Sequence, residues 1–298
     1  MSETRKGIIT GFLCYLFWGV CPIYWKLLVN VDSLETIAQR ILWCAVMTVV
    51  ICFVMRLDLP GLLKDKRAWK ILLPAAILVT FNWGVYIYAV NIGCVVQTAI
   101  GYYINPLVSI VLGIVFFSER LTKLQVIAVA LCAFGVVFFT VSYGEFPWIS
   151  LALAFSFGLY GAVKKKGGYP AAQALAMENV ILFFPVLIFA IVLAFVTGQH
   201  AFLGDVSSVD GWVTTLLLIG GGPVTAIPLL LFSTAANKIP LSLLGFIQYV
   251  SPTIALLLGV FLFGEAFTFA HAVLLVCIWS GLALVSVQTL RGERAGGE

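Results

Sequence analysis

Apolar residues run along this chain in long blocks that charge interrupts only briefly. Residues 71–118, 124–144, 146–163, 179–204, 211–237, 239–264 and 266–290 contain no Asp, Glu, Lys or Arg, and a helix crossing the hydrocarbon core of a bilayer needs about 20 such residues. Transmembrane β-strands would instead alternate lipid-facing and lumen-facing side chains over about 10 positions; stretches such as 126–140 do not alternate. Helices remain, because a backbone in lipid must satisfy each N–H and C=O within its own segment. The pattern predicts ten, at about 7–27, 36–55, 71–90, 96–117, 124–143, 146–163, 171–197, 211–236, 241–264 and 268–289. The expected fold class is all-α integral membrane.

Composition agrees and narrows the function. Of 298 residues 62% are hydrophobic and 10% charged, against about 25% charged in a soluble domain, which excludes an ordinary soluble enzyme and a disordered chain alike. The 27 glycines and 14% aromatic content suit closely packed membrane helices. The basic N-terminus precedes an apolar run without a small-residue cleavage site, so it is expected to stay as the first span. Seven cysteines form no CxxC pair and fall almost wholly inside spans, as packing residues and not as disulfides or metal ligands.

Charge sets orientation. With the N-terminus inside, 15 of the 17 basic residues collect in inner segments, including Arg5, Lys6, Lys64, Lys66, Arg67, Lys70, Lys123, Lys164 to Lys166 and Lys238; Asp32, Glu145, Asp205, Asp210 and Glu265 fall outside. Lys and Arg are retained on the cytoplasmic side, so both termini are expected there. The net charge of +4 then needs no nucleic-acid partner.

An offset of 146 positions aligns Tyr103, Pro106, Gly113, Phe117, Glu119 and Thr122 with Tyr249, Pro252, Gly259, Phe263, Glu265 and Thr268, and Ala89 and Asn91 with Ala235 and Asn237. Each half then holds five helices, an odd number, so equivalent helices run in opposite directions. Residues 1–143 and 146–290 form two inverted five-helix repeats, followed by a cytoplasmic tail over 291–298. Inverted repeats are the architecture of secondary transporters, which bind substrate near the midplane.

Specific segments sharpen this reading. Asn82-Trp83-Gly84-Val85-Tyr86, Gly101-Tyr102-Tyr103-Ile104-Asn105-Pro106, Phe116-Phe117-Ser118-Glu119-Arg120, Trp18-Gly19, Tyr24-Trp25-Lys26 and Arg40-Ile41-Leu42-Trp43 resemble the drug/metabolite transporter superfamily, EamA type, RarD branch. The second half is looser, with Ser251-Pro252 in place of Asn-Pro and Ala266 after Glu265. The resemblance implies ten helices in two inverted repeats and movement of small metabolites across the bacterial cytoplasmic membrane. It names no single substrate.

Candidate pathway residues follow from depth. Centred helices put Trp18, Asn82, Trp83, Asn105, Pro106, Ser156, Pro223, Thr225, Ser251 and Pro252 near the midplane. Gln97, Gly101 and Asn105 share one helix face, as do Asn82 and Tyr86. An unpaired amide in hydrocarbon costs several kcal/mol, so these faces point either into a wet cavity or into interhelical hydrogen bonds. Trp18, Asn82, Trp83, Tyr86, Gln97, Tyr102, Asn105, Gln248 and Tyr249 form the expected substrate-binding set, and Pro106, Pro252 and Pro223 the expected kinks or hinges. Gly220 to Gly222 are read either as a close helix crossing or as an interruption of the eighth helix.

Two charges lie within spans. Arg40 needs a partner at about 2.5 kcal/mol or more for a lipid-exposed guanidinium at mid-helix; Glu35, a residue on another helix, the outer interface and a substrate carboxylate all qualify. Glu178 either sits at the inner interface, pairs with a lysine, or couples a proton. Glu119 and Glu265 at helix ends are read as structural. With no dense ring of one charge sign, the substrate is expected to be small, partly apolar, and neutral or zwitterionic.

The reading is a secondary transporter of small organic metabolites or drugs, working by alternating access as an exporter. A membrane-embedded enzyme or sensor is the alternative, disfavoured by the absence of HExxH, GxSxG and Walker A patterns and of long loops. No cofactor or metal is expected. The expected partners are small-molecule substrate and membrane lipid, and self-association is compatible with the sequence.

Overall fold

The computed structural model describes residues 2–92, 94–144, 146–198, 200–264 and 266–295. Glu145 and Glu265, expected in outer loops, lie outside the described residues, as do 296–298 of the expected tail and the side chains of Asn91, Phe263, Arg291 and Arg294. Among the described residues the chain is helical and strand-free: α1 (Glu3–Lys26), α2 (Ser33–Val54), α3 (Leu59–Lys64), α4 (Lys66–Asn91), α5 (Val95–Phe117), α6 (Lys123–Tyr143), α7 (Trp148–Gly167), α8 (Ala171–Thr197), α9 (Val209–Lys238), α10 (Leu241–Gln248), α11 (Val250–Phe263) and α12 (Phe269–Ala295). Nine segments among them are long and apolar enough to cross a membrane, with α10 and α11 counting together. The 20-residue α7 falls short because its apolar part stops at Val163, before Lys164 to Lys166. The short α3, which the hydrophobic pattern does not predict, is started by Asp58, whose carboxylate accepts from Gly61 N.

Local chemistry fixes the ends. Asp32 caps α2 through Leu34 and Glu35 N–H, and Thr122 with Gln125 closes a reciprocal capping box on α6. Helices α5 and α11 end alike: Ser118 and Gly264, 146 positions apart, both adopt left-handed backbone, and their N–H groups return to the carbonyls of Gly113 and Gly259, also 146 apart. The cost of that conformation for Ser118 (φ 51°) is one that glycine escapes at the equivalent site.

Two expectations about helix continuity change. The ninth predicted segment divides at Tyr249, because Pro252 has no N–H for the carbonyl one turn back. Gly220 to Pro223 do not interrupt α9, which runs unbroken through both of its prolines. These glycines instead permit close crossing: a Cβ on Gly222 would lie 2.6 Å from the Trp43 carbonyl carbon in α2.

Packing follows the same offset. Helix α1 lies against α9 and α11, and its equivalent α7 lies against α4 and α5, the equivalents of those two. Helices α6 and α12 pair with each other. There Gly135 faces Cys277 and the equivalent Gly281 faces Cys132 Sγ, each so close that a Cβ would lie within 2.9 Å. Small residues are what allow such approach in lipid. A central apolar core joins α1, α4, α5, α7 and α9 around Tyr15, Tyr160, Leu229 and Phe232, while Ile100, Tyr103, Tyr249 and Leu274 build a second against α6 and α12. Phe53, Phe195 and Phe261 remain more than 80% exposed, a placement that suits contact with lipid.

Candidate functional site

Arg40 on α2 enters a cluster built by four other helices. Its Cζ lies 4.8 Å from the ring centroid of Trp25 (α1) and 4.7 Å from that of Trp83 (α4). Its Nε donates to Thr225 Oγ1 on α9 at 3.1 Å. Tyr86 (α4) and Tyr102 (α5) sit within electrostatic reach of the guanidinium, their rings 6.3 Å apart. Ring quadrupoles offset part of the cation's desolvation, yet among the described residues no carboxylate pairs with Arg40. Tyr102, beside this cluster, is 45% exposed.

Glu35, the in-helix partner open to Arg40 by sequence spacing, is committed elsewhere. Its carboxylate accepts from Ala201 N at 2.8 Å and Phe202 N at 2.9 Å, tying the α8–α9 loop to α2. A nearby cleft of about 400 Å³, bordered by Gln39, Trp43, Phe183 and His200, lies between α2 and α8 and does not include Arg40.

The remaining candidates divide. Asn82 donates to Leu153 O and Ser156 Oγ, both at 2.9 Å, fastening α4 to α7. Asn105 donates to Ala154 O at 3.2 Å and accepts from Gln248 Nε2 at 2.7 Å, and Gln248 Oε1 accepts from Tyr15 at 3.5 Å. Gln97 is buried on the α5 face against α7, its carbonyl accepting from Ser150 Oγ at 2.6 Å. Tyr249 is fully buried in the α5–α6–α12 core. Trp18 packs on Tyr15, Phe157 and Phe232 at 5.5–5.9 Å, an aromatic layer rather than part of the Arg40 cluster. Of the expected substrate-binding set, then, Trp83, Tyr86 and Tyr102 meet around Arg40; Asn82, Asn105 and Gln248 join helices to one another; and Gln97 and Tyr249 are buried in the bundle.

The amide pairing yields a prediction. Asn105→Ala would leave Gln248 Nε2 without its acceptor at a buried position, an orphan costing about 1–3 kcal/mol. A lower melting temperature of the detergent-solubilised protein is expected for Asn105→Ala and Gln248→Ala, with the double variant costing less than the sum. Strict additivity would mean that the two amides do not interact.

The hinge and coupling candidates have definite surroundings. Pro106 lies inside continuous α5, its carbonyl close against Gly245 of α10. Pro252 follows the break at Tyr249, its carbonyl accepting from Tyr103 at 3.1 Å, and Pro223 lies within unbroken α9. Glu178 is buried with Lys164: Nζ lies 2.6 Å from Oε1, and Tyr160 donates to Oε2 at 3.1 Å. Glu119 accepts from Leu241 N, Ser242 N and Ser242 Oγ at the start of α10. That is the structural role read from its position at a helix end.

Sequence reasoning missed Trp25 as a site residue and noted Thr225 only for its depth. An aromatic beside a basic residue one turn from a span end carries no marker of which helix it will face.

The comparisons with known proteins cover the whole arrangement. The model of the EamA-like transporter family matches residues 5–141 and again 147–287. The chain is 39% identical to the uncharacterized transporter YojE of Bacillus subtilis, over 99% of this chain and 98% of that protein. It is 35% identical to protein RarD of Escherichia coli, over 98% of each. A solved crystal structure aligns with a TM-score of 0.73 at 15% identity, covering 95% of this chain and 98% of the other, and shares the fold.

Proposed function

The chain belongs to the EamA-like transporter family, in the branch of the RarD proteins, and is a membrane transporter; from that premise we propose that it is a secondary carrier of small organic molecules in the bacterial inner membrane. It works by alternating access as an exporter. Ten helices span the bilayer in two inverted repeats, 1–143 and 146–290, with both termini and the 291–298 tail in the cytoplasm. The observation that carries this reading is the Arg40 cluster: five helices from both halves converge on a cation that no carboxylate pairs with among the described residues.

The two ends of the bundle differ in a way that suits one state of such a cycle. At the lysine-rich end Trp18, Phe157, Tyr160 and Phe232 close the space between α1, α7 and α9. Lys165 binds the carbonyls of Ala236 and Ile239, and Lys238 pairs with Glu3 across α9 and α1. The Arg40 cluster lies beyond this layer, toward the end carrying Asp32 and Asp205. Alternation requires the layer to part while the opposite end closes.

Flux in proteoliposomes against a panel of metabolites, with and without a pH gradient, tests the function; no flux of any compound would overturn it. For topology, cysteine at Asp205 in a cysteine-free background should react with an impermeant maleimide from outside, and cysteine at Lys66 or Lys166 should not. All three are exposed positions, so labelling of all of them from one side would overturn the arrangement with the termini inside.

A further inference from the structure

We infer that the Arg40 cluster binds the carboxylate of an organic monoanion whose apolar or aromatic body lies against Trp25, Trp83 and the two tyrosines. The inference rests on the reading of this cluster as the transported substrate's site and narrows it to a chemical class.

Arg40 spends Nε on Thr225, leaving both terminal nitrogens, four N–H groups in the plane of the guanidinium, without an acceptor among the described residues. Trp25 and Trp83 cover the cation with π surface, which lowers the cost of burying it but accepts no in-plane hydrogen bond. Among the described residues neither indole N–H donates a hydrogen bond, and neither the Tyr86 nor the Tyr102 hydroxyl makes one. The cluster therefore presents unspent donors and one formal positive charge, with Thr225 Oγ1 already engaged as acceptor. A guanidinium fork with neighbouring hydroxyl donors matches a carboxylate, which is planar, singly charged and accepts two parallel bonds.

Other substrate classes fit less well. A neutral body alone would leave the cation unpaired in a desolvated place. A zwitterion brings an ammonium that needs an acceptor, and in this cluster only weak hydroxyl lone pairs offer one. A doubly charged phosphate would call for more than one cation. The expectation of a neutral or zwitterionic substrate, drawn from the lack of a one-sign charge ring, thus gives way to a single well-placed charge.

The test is binding to the full-length, detergent-solubilised protein, read by thermal shift and by intrinsic tryptophan fluorescence, since Trp25 and Trp83 lie at the site. The probes are 3-phenylpropanoate, hexanoate, 3-phenylpropanamide, phenylalanine and phenylphosphonate. The expected result is that a carboxylate binds about ten-fold or more tightly than the isosteric amide, and more tightly than phenylalanine or the phosphonate. Arg40→Lys should weaken carboxylate binding by about ten-fold, because an ammonium cannot supply the fork, and Arg40→Gln should erase the preference for acid over amide. Tyr86→Phe and Tyr102→Phe should each weaken it several-fold with an unchanged melting temperature. Equal binding of acid and amide by the wild-type protein, binding of no carboxylate, preference for the phosphonate or the zwitterion, or a preference that survives Arg40→Gln would each overturn the inference. The acid–amide comparison uses the wild-type chain, so it holds even if a variant fails to fold. Flux of a neutral metabolite untouched by Arg40→Gln would overturn the inference and leave the transporter standing; acid-selective binding without flux of any compound would do the reverse.

Discussion

Lys164→Met is expected to lower the stability of the solubilised protein by about 3–5 kcal/mol, the largest single effect among the polar substitutions considered. Both members of the Lys164–Glu178 pair have side chains only 1% exposed, and Nζ lies 2.6 Å from Oε1. Removing the ammonium leaves a carboxylate held only by the Tyr160 hydroxyl, deep between α7 and α8. Glu178→Gln strands the ammonium in turn and should cost a similar amount. Replacing both residues with apolar ones, Lys164→Met with Glu178→Leu, removes charge and counter-charge together and should recover most of the loss. The pair's attraction is largely spent on offsetting desolvation, so its replacement is close to neutral. Denaturant titration of the three variants checks this. If the double variant were as unstable as the singles, the pair's geometry and not its charge balance would be what the bundle requires. A single variant costing under about 1 kcal/mol would mean that water reaches the site.

This pair also explains how α7 runs past its apolar stretch. Its apolar stretch ends at Val163, and three lysines follow that read as an inner loop; the helix nevertheless continues to Gly167. Lys164 can stay inside because α8 supplies Glu178, a relation between residues 14 apart that local periodicity cannot express. The other helices were legible because lipid imposes a rule that each segment obeys alone, a closed hydrogen-bond ladder with an apolar surface. Helix contacts obey no such local rule. Arg40 shows this: its need for a partner could be read from its depth, but Glu35, nearest in sequence, serves the backbone of Ala201 and Phe202, and the groups that cover the guanidinium come from α1 and α4.

The buried amides make the same point from the other side. Spacing placed Gln97, Gly101 and Asn105 on one face, and that face is inward, with all three residues buried. Whether an inward amide meets solvent or another helix depends on what the partner helix presents. Asn82 on α4 meets the Leu153 carbonyl and Ser156 of α7, and Asn105 meets Ala154 and Gln248 where Gly158 and Gly245 let α7 and α10 come close to α5.

Adjacent glycines of α9 should respond in opposite directions to the same substitution. A Cβ on Gly222 would lie 2.6 Å from the Trp43 carbonyl carbon and 2.8 Å from its oxygen. Those are backbone atoms of α2 that cannot turn aside, so Gly222→Ala must push α2 and α9 apart. A cost of about 1–3 kcal/mol is expected, rising with Gly222→Val. The displacement would also stretch the Arg40–Thr225 hydrogen bond, which bridges the same two helices only three residues further along α9. Gly221 differs: its Cβ would meet Arg40 Cβ at 3.5 Å and Trp25 ring carbons at 3.6–3.7 Å, ordinary contacts. Gly221→Ala should therefore be neutral or stabilising in the melting experiment, by up to about 1 kcal/mol from the better helix former. If Gly220 to Gly222 served as a hinge, stiffening either position would impair transport alike and leave melting alone. If they serve the crossing, stability falls at Gly222 and holds at Gly221. Measuring melting temperature and flux on these two alanine variants decides between the readings, and equal loss of flux at unchanged melting temperature would establish the hinge.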